Sequence, residues 1–300
     1  EQGLSNNYVV SITQDKQGFL WFATEEGLNK FDGTRFTTYY KNDLTQDNQG
    51  ITGNELNRVY ADTKHPIIWI ATQRDGLNAY NYNEQTFTAY QHNPENPHSL
   101  ITNDVTDIAP STQHDDGLWI STYYRGIEYL DITSGQFTHY NKSTVPSLPC
   151  DQTWTVLDGG DGNLYIGHVG SGFSIFSPKD KSVKNFRNEA GNPMSLPGND
   201  VFCIIKDANG NIWLGTNNGL ALYDAANENF ITFKNNKNDK YATLCSRILS
   251  IRQLKDNRLW IASELNGIAI LNLKQSMFLS PEEISLEYIQ EGADSRSLSN

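Results

Sequence analysis

One phrase returns six times along this chain, and its spacing constrains the fold more than any other feature. Each copy is a short apolar run around an aromatic residue, followed within a few residues by Gly and a further apolar residue. The first three are Leu20-Trp21-Phe22-Ala23-Thr24 with Gly27-Leu28, Ile68-Trp69-Ile70-Ala71-Thr72 with Gly76-Leu77, and Leu118-Trp119-Ile120-Ser121-Thr122 with Gly126-Ile127. The others are Leu164-Tyr165-Ile166-Gly167-His168 with Gly172-Phe173, Ile212-Trp213-Leu214-Gly215-Thr216 with Gly219-Leu220, and Leu259-Trp260-Ile261-Ala262-Ser263 with Gly267-Ile268. Steps between the aromatic positions are 48, 50, 46, 48 and 47 residues. Chance does not produce such a ladder.

Each unit carries four short strand-like runs. An alternating stretch such as Val201-Phe202-Cys203-Ile204 comes first and the aromatic phrase second. A run after its Gly, such as Leu220-Ala221-Leu222-Tyr223, is third, and an aromatic pair such as Phe137-Thr138-His139-Tyr140 closes the unit. Gly, Asn and Asp separate the runs, as turns demand. In Asp15-Lys16-Gln17-Gly18 and Asp207-Ala208-Asn209-Gly210 the Asp side chain can accept from backbone two residues on, while Gly takes the positive φ of a tight hairpin. No stretch shows helical periodicity.

Four strands per unit of about 48 residues is the arithmetic of an all-β fold, a β-propeller of four-stranded antiparallel blades. The aromatic phrases are apolar throughout rather than alternating, so both sheet faces are covered, as when blades stack. One aromatic per blade then fills each gap between blades. The expected domain is a single propeller over residues 1–300, with blades at 3–50, 51–98, 99–146, 147–194, 195–243 and 244–296. Ser297-Leu298-Ser299-Asn300 repeats the phrase that opens other units, such as Gly3-Leu4-Ser5-Asn6, and reads as the start of a seventh. Six blades closing a ring and part of a longer array both fit that ending. Glu1-Gln2-Gly3 without an initiator Met suggests a processed or truncated chain.

Composition narrows the functions. The 23 Lys and Arg stand against 35 Asp and Glu, a net charge of −12 that repels phosphate backbones and anionic lipid. Ile67 to Ala71 is the longest clean apolar run, far short of the roughly 20 residues that span a bilayer. Cys150, Cys203 and Cys245 form no CxxC pair, and the equivalent placing of Cys150 and Cys245 two blades apart argues for free thiols. Asp207-Ala208-Asn209-Gly210-Asn211 and Asp158-Gly159-Gly160-Asp161-Gly162 superficially resemble calcium loops, but position twelve from Asp207 is Asn218 rather than Glu. Neither a metal nor a cofactor is expected.

The pattern Leu-Ser-Asn, Val-x-x-Ile, then Asp-x-x-Gly-x-Leu-Trp-Ile-Ala/Gly-Thr-x-x-Gly-Leu resembles the two-component regulator propeller repeat, best in Asp207 to Tyr223. Unit three departs from it at Ser111 to Gly117, and unit four at Tyr165 and His168. Such repeats form the periplasmic sensor region of hybrid two-component histidine kinases in polysaccharide-degrading Gram-negative bacteria. The resemblance implies a sensor ectodomain that detects oligosaccharides and regulates glycan-utilisation genes. It also implies a larger protein, with the kinase outside this chain, a membrane helix likewise outside it, and dimerisation through the full ectodomain.

In propellers the loops joining strands two and three converge on one face, and here they vary while their flanks stay regular. Sugars are held by aromatic platforms under C–H faces and by polar groups that take hydroxyls or carboxylates. Tyr123, Tyr124 and Arg125 have that composition on one loop, with Arg74 and Asp75 one blade away. Trp154, on a first strand where other units place smaller residues, and His168, in place of Thr or Ser, complete the candidate ligand-binding set. Each has a structural alternative: solvated loop tips, a packed aromatic, a hydrogen-bonded strand-end histidine. Two other functions compete. A propeller hydrolase or lyase would draw on Glu25, Glu26, Asp75 or Glu264, though no motif pairs them. A protein-interaction or dimerisation scaffold has a similar period, but no Trp-Asp dipeptide appears.

Overall fold

The computed structural model describes residues 3–41, 50–233, 243–273 and 286–289. Its strands form six antiparallel four-stranded sheets, each ordered as in the sequence, and the class is a β-propeller. No α-helix occurs among the described residues; a single 3-10 turn spans Thr243–Cys245. The chain divides into two compact units, residues 1–162 and 163–300. In the first, blade one comprises Val9–Gln14, Leu20–Thr24, Gly27–Phe31 and Phe36–Tyr39. Blade two comprises Leu56–Ala61, Ile67–Thr72, Leu77–Asn81 and Thr86–Tyr90, and blade three Val105–Pro110, Gly117–Thr122, Gly126–Asp131 and Gln136–Tyr140. The first strand of blade four, Thr153–Asp158, ends this unit. The second unit holds Leu164–His168, Phe173–Phe176 and Val183–Phe186, then blades five and six from Val201–Lys206 to Leu286–Ile289. Residues 297–300, read as the start of a seventh repeat, lie outside the described residues.

The aromatic phrase does what its unbroken apolar character predicts. Trp21 is fully buried in a cluster with Leu56, Val59, Ile68 and Ile70 of blade two. Trp69 packs likewise against Leu100, Val105, Ile108 and Leu118 of blade three, and Trp213 against Ile248, Ile251 and Leu259 of blade six. A blade's sheet therefore has no core of its own; its second strand is completed by the next blade.

Two polar devices repeat with the same period. Asp15 and Asp207 each accept backbone N–H groups within their hairpin, from Gln17 and Phe19 and from Asn209 and Asn211. The other oxygen of each carboxylate takes the indole N–H of Trp21 (2.7 Å) or Trp213 (2.9 Å). Blade three lacks this Asp, having Ser111, and Trp119 donates instead to Asp158 of the next blade at 3.2 Å. The Thr of the phrase closes the loop between strands two and three: Thr72 Oγ1 donates to the Gly76 carbonyl (2.7 Å) and accepts from Asp75 N (2.8 Å). Thr24, Thr122, Thr216 and Ser263 repeat that pair of bonds. The Gly that follows has positive φ in every unit, for example 93° at Gly76 and 84° at Gly126. A Cβ there would lie 2.4 Å from the Tyr90 carbonyl or 2.3 Å from that of Tyr140, so only glycine lets the fourth strand approach.

Candidate functional site

First strands of successive blades lie side by side in the first unit and are tied by side chains one repeat apart. Ser11 Oγ accepts from Val59 N (3.2 Å), Asn57 Nδ2 donates to the Val105 carbonyl (2.8 Å), and Thr106 Oγ1 donates to that of Thr153 (3.3 Å). Asp107 binds both neighbours, with Arg58 Nε at 3.0 Å on one side and Thr155 Oγ1 donating at 2.6 Å on the other. The first strands of blades one, two, three, five and six begin with a β-bulge: the register skips Asn57 in blade two and Thr106 in blade three. A bulge re-aims the extra residue away from the ladder.

Those bulges, together with the loops between strands two and three, build a pocket of about 360 Å³ within the first unit. Gln73 and Arg74 come from the blade-two loop, Tyr123 and Tyr124 from the blade-three loop. Asn57, Thr106 and Trp154 contribute from the first strands of blades two, three and four, and Asp104 from the segment leading into blade three. The loops are pinned at their base, since Gln73 N donates to the Glu55 carbonyl and Tyr123 N to that of Asp104. The aromatic wall is a set of edge-to-face contacts, with ring centroids 4.2 Å apart for Tyr123–Tyr124 and 6.0 Å for Tyr123–Trp154. Tyr124 is 53% exposed, whereas Tyr123 and Trp154 are half-buried. Such a wall offers ring faces and edges to a ligand at little cost in side-chain entropy.

The structure thus gathers Arg74, Tyr123, Tyr124 and Trp154 from the sequence candidates. The remaining three do other things. Asp75 pairs with Lys41 (3.4 Å) and packs over Gly53, where a Cβ would collide with its carboxylate. Arg125 is exposed outside the lining, its N–H donating to Thr122 Oγ1. His168 is fully buried with Nε2 2.8 Å from Ser174 Oγ, a packed strand-end position with no surface for a ligand. Asn57, Thr106 and Asp104 were not singled out from the sequence, nor was Gln73 within its loop. Asn57 and Thr106 have a signal in the repeat column of Trp154, which reads Val10, Asn57, Thr106, Trp154, Phe202 and Leu249: two polar residues, then the largest aromatic, in three consecutive blades.

The segment carrying Asp104 has a second anchor. In blades one and two, Asn29 and Asn78 accept from the N–H of Ser5 and Thr52 and donate to the same residues' hydroxyls. In blade three the equivalent acceptor is Glu128, which takes Ile101 N at 2.9 Å and is fully buried. His139, directly across the sheet, has Nδ1 3.3 Å from Glu128 Oε2 and Nε2 2.9 Å from the Pro97 carbonyl. Burial pushes the Glu128 carboxyl up, and its neighbour Glu128 holds His139 above the ordinary histidine value.

Chemically, the lining offers aromatic surface, amide and guanidinium donors, and one carboxylate, Asp104. The two-carboxylate machinery of a hydrolase is not assembled there: Glu25, Glu26, Asp75 and Glu264 do not line the pocket. Among the described residues, no group of three or more His, Cys, Asp or Glu is placed to hold a metal ion. Among the described residues, Cys150, Cys203 and Cys245 form no disulfide.

A propeller whose blades share this hairpin Asp, buried Trp and loop-closing Thr defines a class of repeat, and comparison with known proteins says which. Two segments, residues 3–26 and 195–218, match the sequence profile of the two-component regulator propeller. Over its whole length it is 62% identical, with a TM-score of 0.87, to the extracellular domain of the hybrid two-component system BT3049 from B. thetaiotaomicron, and is homologous to it. The chain spans 37% of that structure. A stretch of 40 residues, 13% of the chain, is 55% identical to histidine kinase P4 of Formosa agariphila, of which it covers 3%. The extracellular domain of BT4673 from B. thetaiotaomicron shares the fold, with a TM-score of 0.71 at 22% identity over 96% of this chain and 37% of that one. No helix among the described residues is long and apolar enough to cross a membrane.

Proposed function

We propose that this chain is the ligand-sensing part of a periplasmic sensor ectodomain, that its ligand is an oligosaccharide, and that binding regulates glycan-utilisation genes through a kinase elsewhere in the protein. The observation that carries the reading is the wall of Tyr123, Tyr124 and Trp154 beside Arg74 in one pocket. Sugars present C–H faces to aromatic rings and hydroxyls to planar donors, and this lining supplies both. Homology to an extracellular domain of a hybrid two-component system supports the sensor role. A sensor of this kind works by differential binding. The ligand favours one arrangement of the ectodomain, a homodimer in this reading, by its difference in affinity between arrangements. The pocket assembles from three blades, so a ligand bridging them draws on strands that Asp107 already ties together.

A thermal-shift screen of the 300-residue chain against defined oligosaccharides tests the reading. A ligand at 100 times its dissociation constant adds roughly 2.7 kcal/mol and raises Tm by about two degrees or more. One glycan class shifts the wild type, and Trp154→Ala or Arg74→Ala abolishes the shift without lowering the ligand-free Tm by a comparable amount. A shift that survives both substitutions places the site elsewhere.

A further inference from the structure

The pocket's two charged groups bear on which class of sugar it takes, an inference that rests on the oligosaccharide reading above. Arg74 and Asp104 both line the pocket, and neither side chain makes a hydrogen bond or ion pair among the described residues. One is a donor-only guanidinium and the other an acceptor-only carboxylate. Covering either with a ligand that leaves it unpaired costs free energy. Vicinal hydroxyls satisfy both at once, because each hydroxyl donates to a carboxylate and accepts from a guanidinium. The carboxylate of a uronate or the ester of a sulfated sugar satisfies Arg74 alone. That anionic group brings no donor to Asp104 and sets like charge against it.

The surrounding field acts in the same direction. Residues 1–162, which hold the pocket, contain 9 Lys and Arg against 21 Asp and Glu, so they carry the whole net charge of −12. Residues 163–300 contain 14 of each sign. An anionic ligand therefore meets repulsion before contact as well as within the pocket, and the effect is strongest at low salt. Gln73 and Asn57, amides in the same lining, add neutral hydrogen-bonding groups and no charge. We propose that the pocket takes an uncharged oligosaccharide and that Asp104 is the residue that excludes acidic ones.

Isothermal titration of the full 300-residue chain at low ionic strength tests this with two panels of tetrasaccharides. One is uncharged (gluco-, manno-, xylo- and galacto-series), the other acidic (oligogalacturonide and chondroitin sulfate). The tightest uncharged ligand binds about tenfold or more better than the tightest acidic one, a gap of about 1.4 kcal/mol. Asp104→Asn, which keeps shape and removes charge, narrows that gap from both sides, weakening the uncharged ligand and strengthening the acidic one. Preference for the acidic panel, equal binding of the two, or a gap unchanged in Asp104→Asn overturns this inference and leaves the sensor reading standing. Binding of neither panel overturns both.

Discussion

Asp207 satisfies the N–H groups of Asn209 and Asn211 with one oxygen and the Trp213 indole with the other, all while nearly buried. Its removal leaves a buried indole donor without an acceptor. Asp207→Ala should therefore lower stability by about 1–3 kcal/mol, measured by urea unfolding. Blade six supplies the reciprocal case. Leu254 stands six residues before Trp260, where Asp207 stands before Trp213, and its turn keeps the same backbone bonds. The Trp260 indole N–H has no hydrogen-bond partner among the described residues. Leu254→Asp should restore one and raise stability by about 1 kcal/mol. A fall in stability on this substitution would show that the side chain's apolar contacts outweigh the missing bond. These residue-scale roles were legible in part. The hairpin Asp accepting backbone N–H groups follows from turn chemistry, but its grip on the Trp indole needs the strand register that places position i+6 over the turn.

At the scale of the element, blade three differs from its neighbours by replacing a neutral anchor with a titratable one. Where blades one and two use Asn29 with Ser5 and Asn78 with Thr52, blade three uses Glu128 with His139 and has Ile101 in place of the hydroxyl. Charged and titratable groups around the pair are few: His92 acts on Glu128 electrostatically, and its Nδ1 lies 2.9 Å from the Leu100 carbonyl. Both Glu128 and His139 have raised folded values, so at these two groups the native state holds more protons than the unfolded one above the ordinary carboxylate and histidine values. Stability from this pair is present at low pH and is lost as pH rises through the folded values. Urea unfolding at pH 5 and pH 8 should show that loss, and Glu128→Gln, which keeps the acceptor for Ile101 N, should flatten it. An unchanged pH slope in the variant would assign the dependence to other groups. None of this was readable from the blade's own sequence, because Glu128 and His139 lie eleven residues apart and meet only through the pairing of strands three and four.

At the scale of the whole molecule, the period alone carried the fold class. An apolar phrase with one aromatic and one Gly every 48 residues or so admits few architectures, and the structure shows why each part recurs. The aromatic fills the gap to the next blade, the Thr closes a loop, and the Gly lets the fourth strand pass. The candidate site was legible only where composition was unusual. Tyr123, Tyr124, Arg74 and Trp154 stand out against their repeat columns, whereas Asn57, Thr106 and Asp104 are ordinary residues aimed by bulges and by the docking of one blade's loop on the next. His168 is the reverse case, a conspicuous exception in its column that turns out to be buried. The net charge lies wholly in the unit that holds the pocket, so raising salt should weaken repulsion of acidic sugars while leaving uncharged ones nearly unaffected. A titration at two ionic strengths separates the cases.

The central claim is that an oligosaccharide binds against Trp154, and the six Trp residues make that directly observable. In the ¹⁵N spectrum of the indole N–H groups, titration with the oligosaccharide that gives the largest thermal shift should move the Trp154 resonance saturably. Trp21, Trp69 and Trp213, fully buried between blades, should stay in place. A Trp154 resonance that remains fixed while the thermal shift saturates would contradict the account and put the binding site outside this pocket.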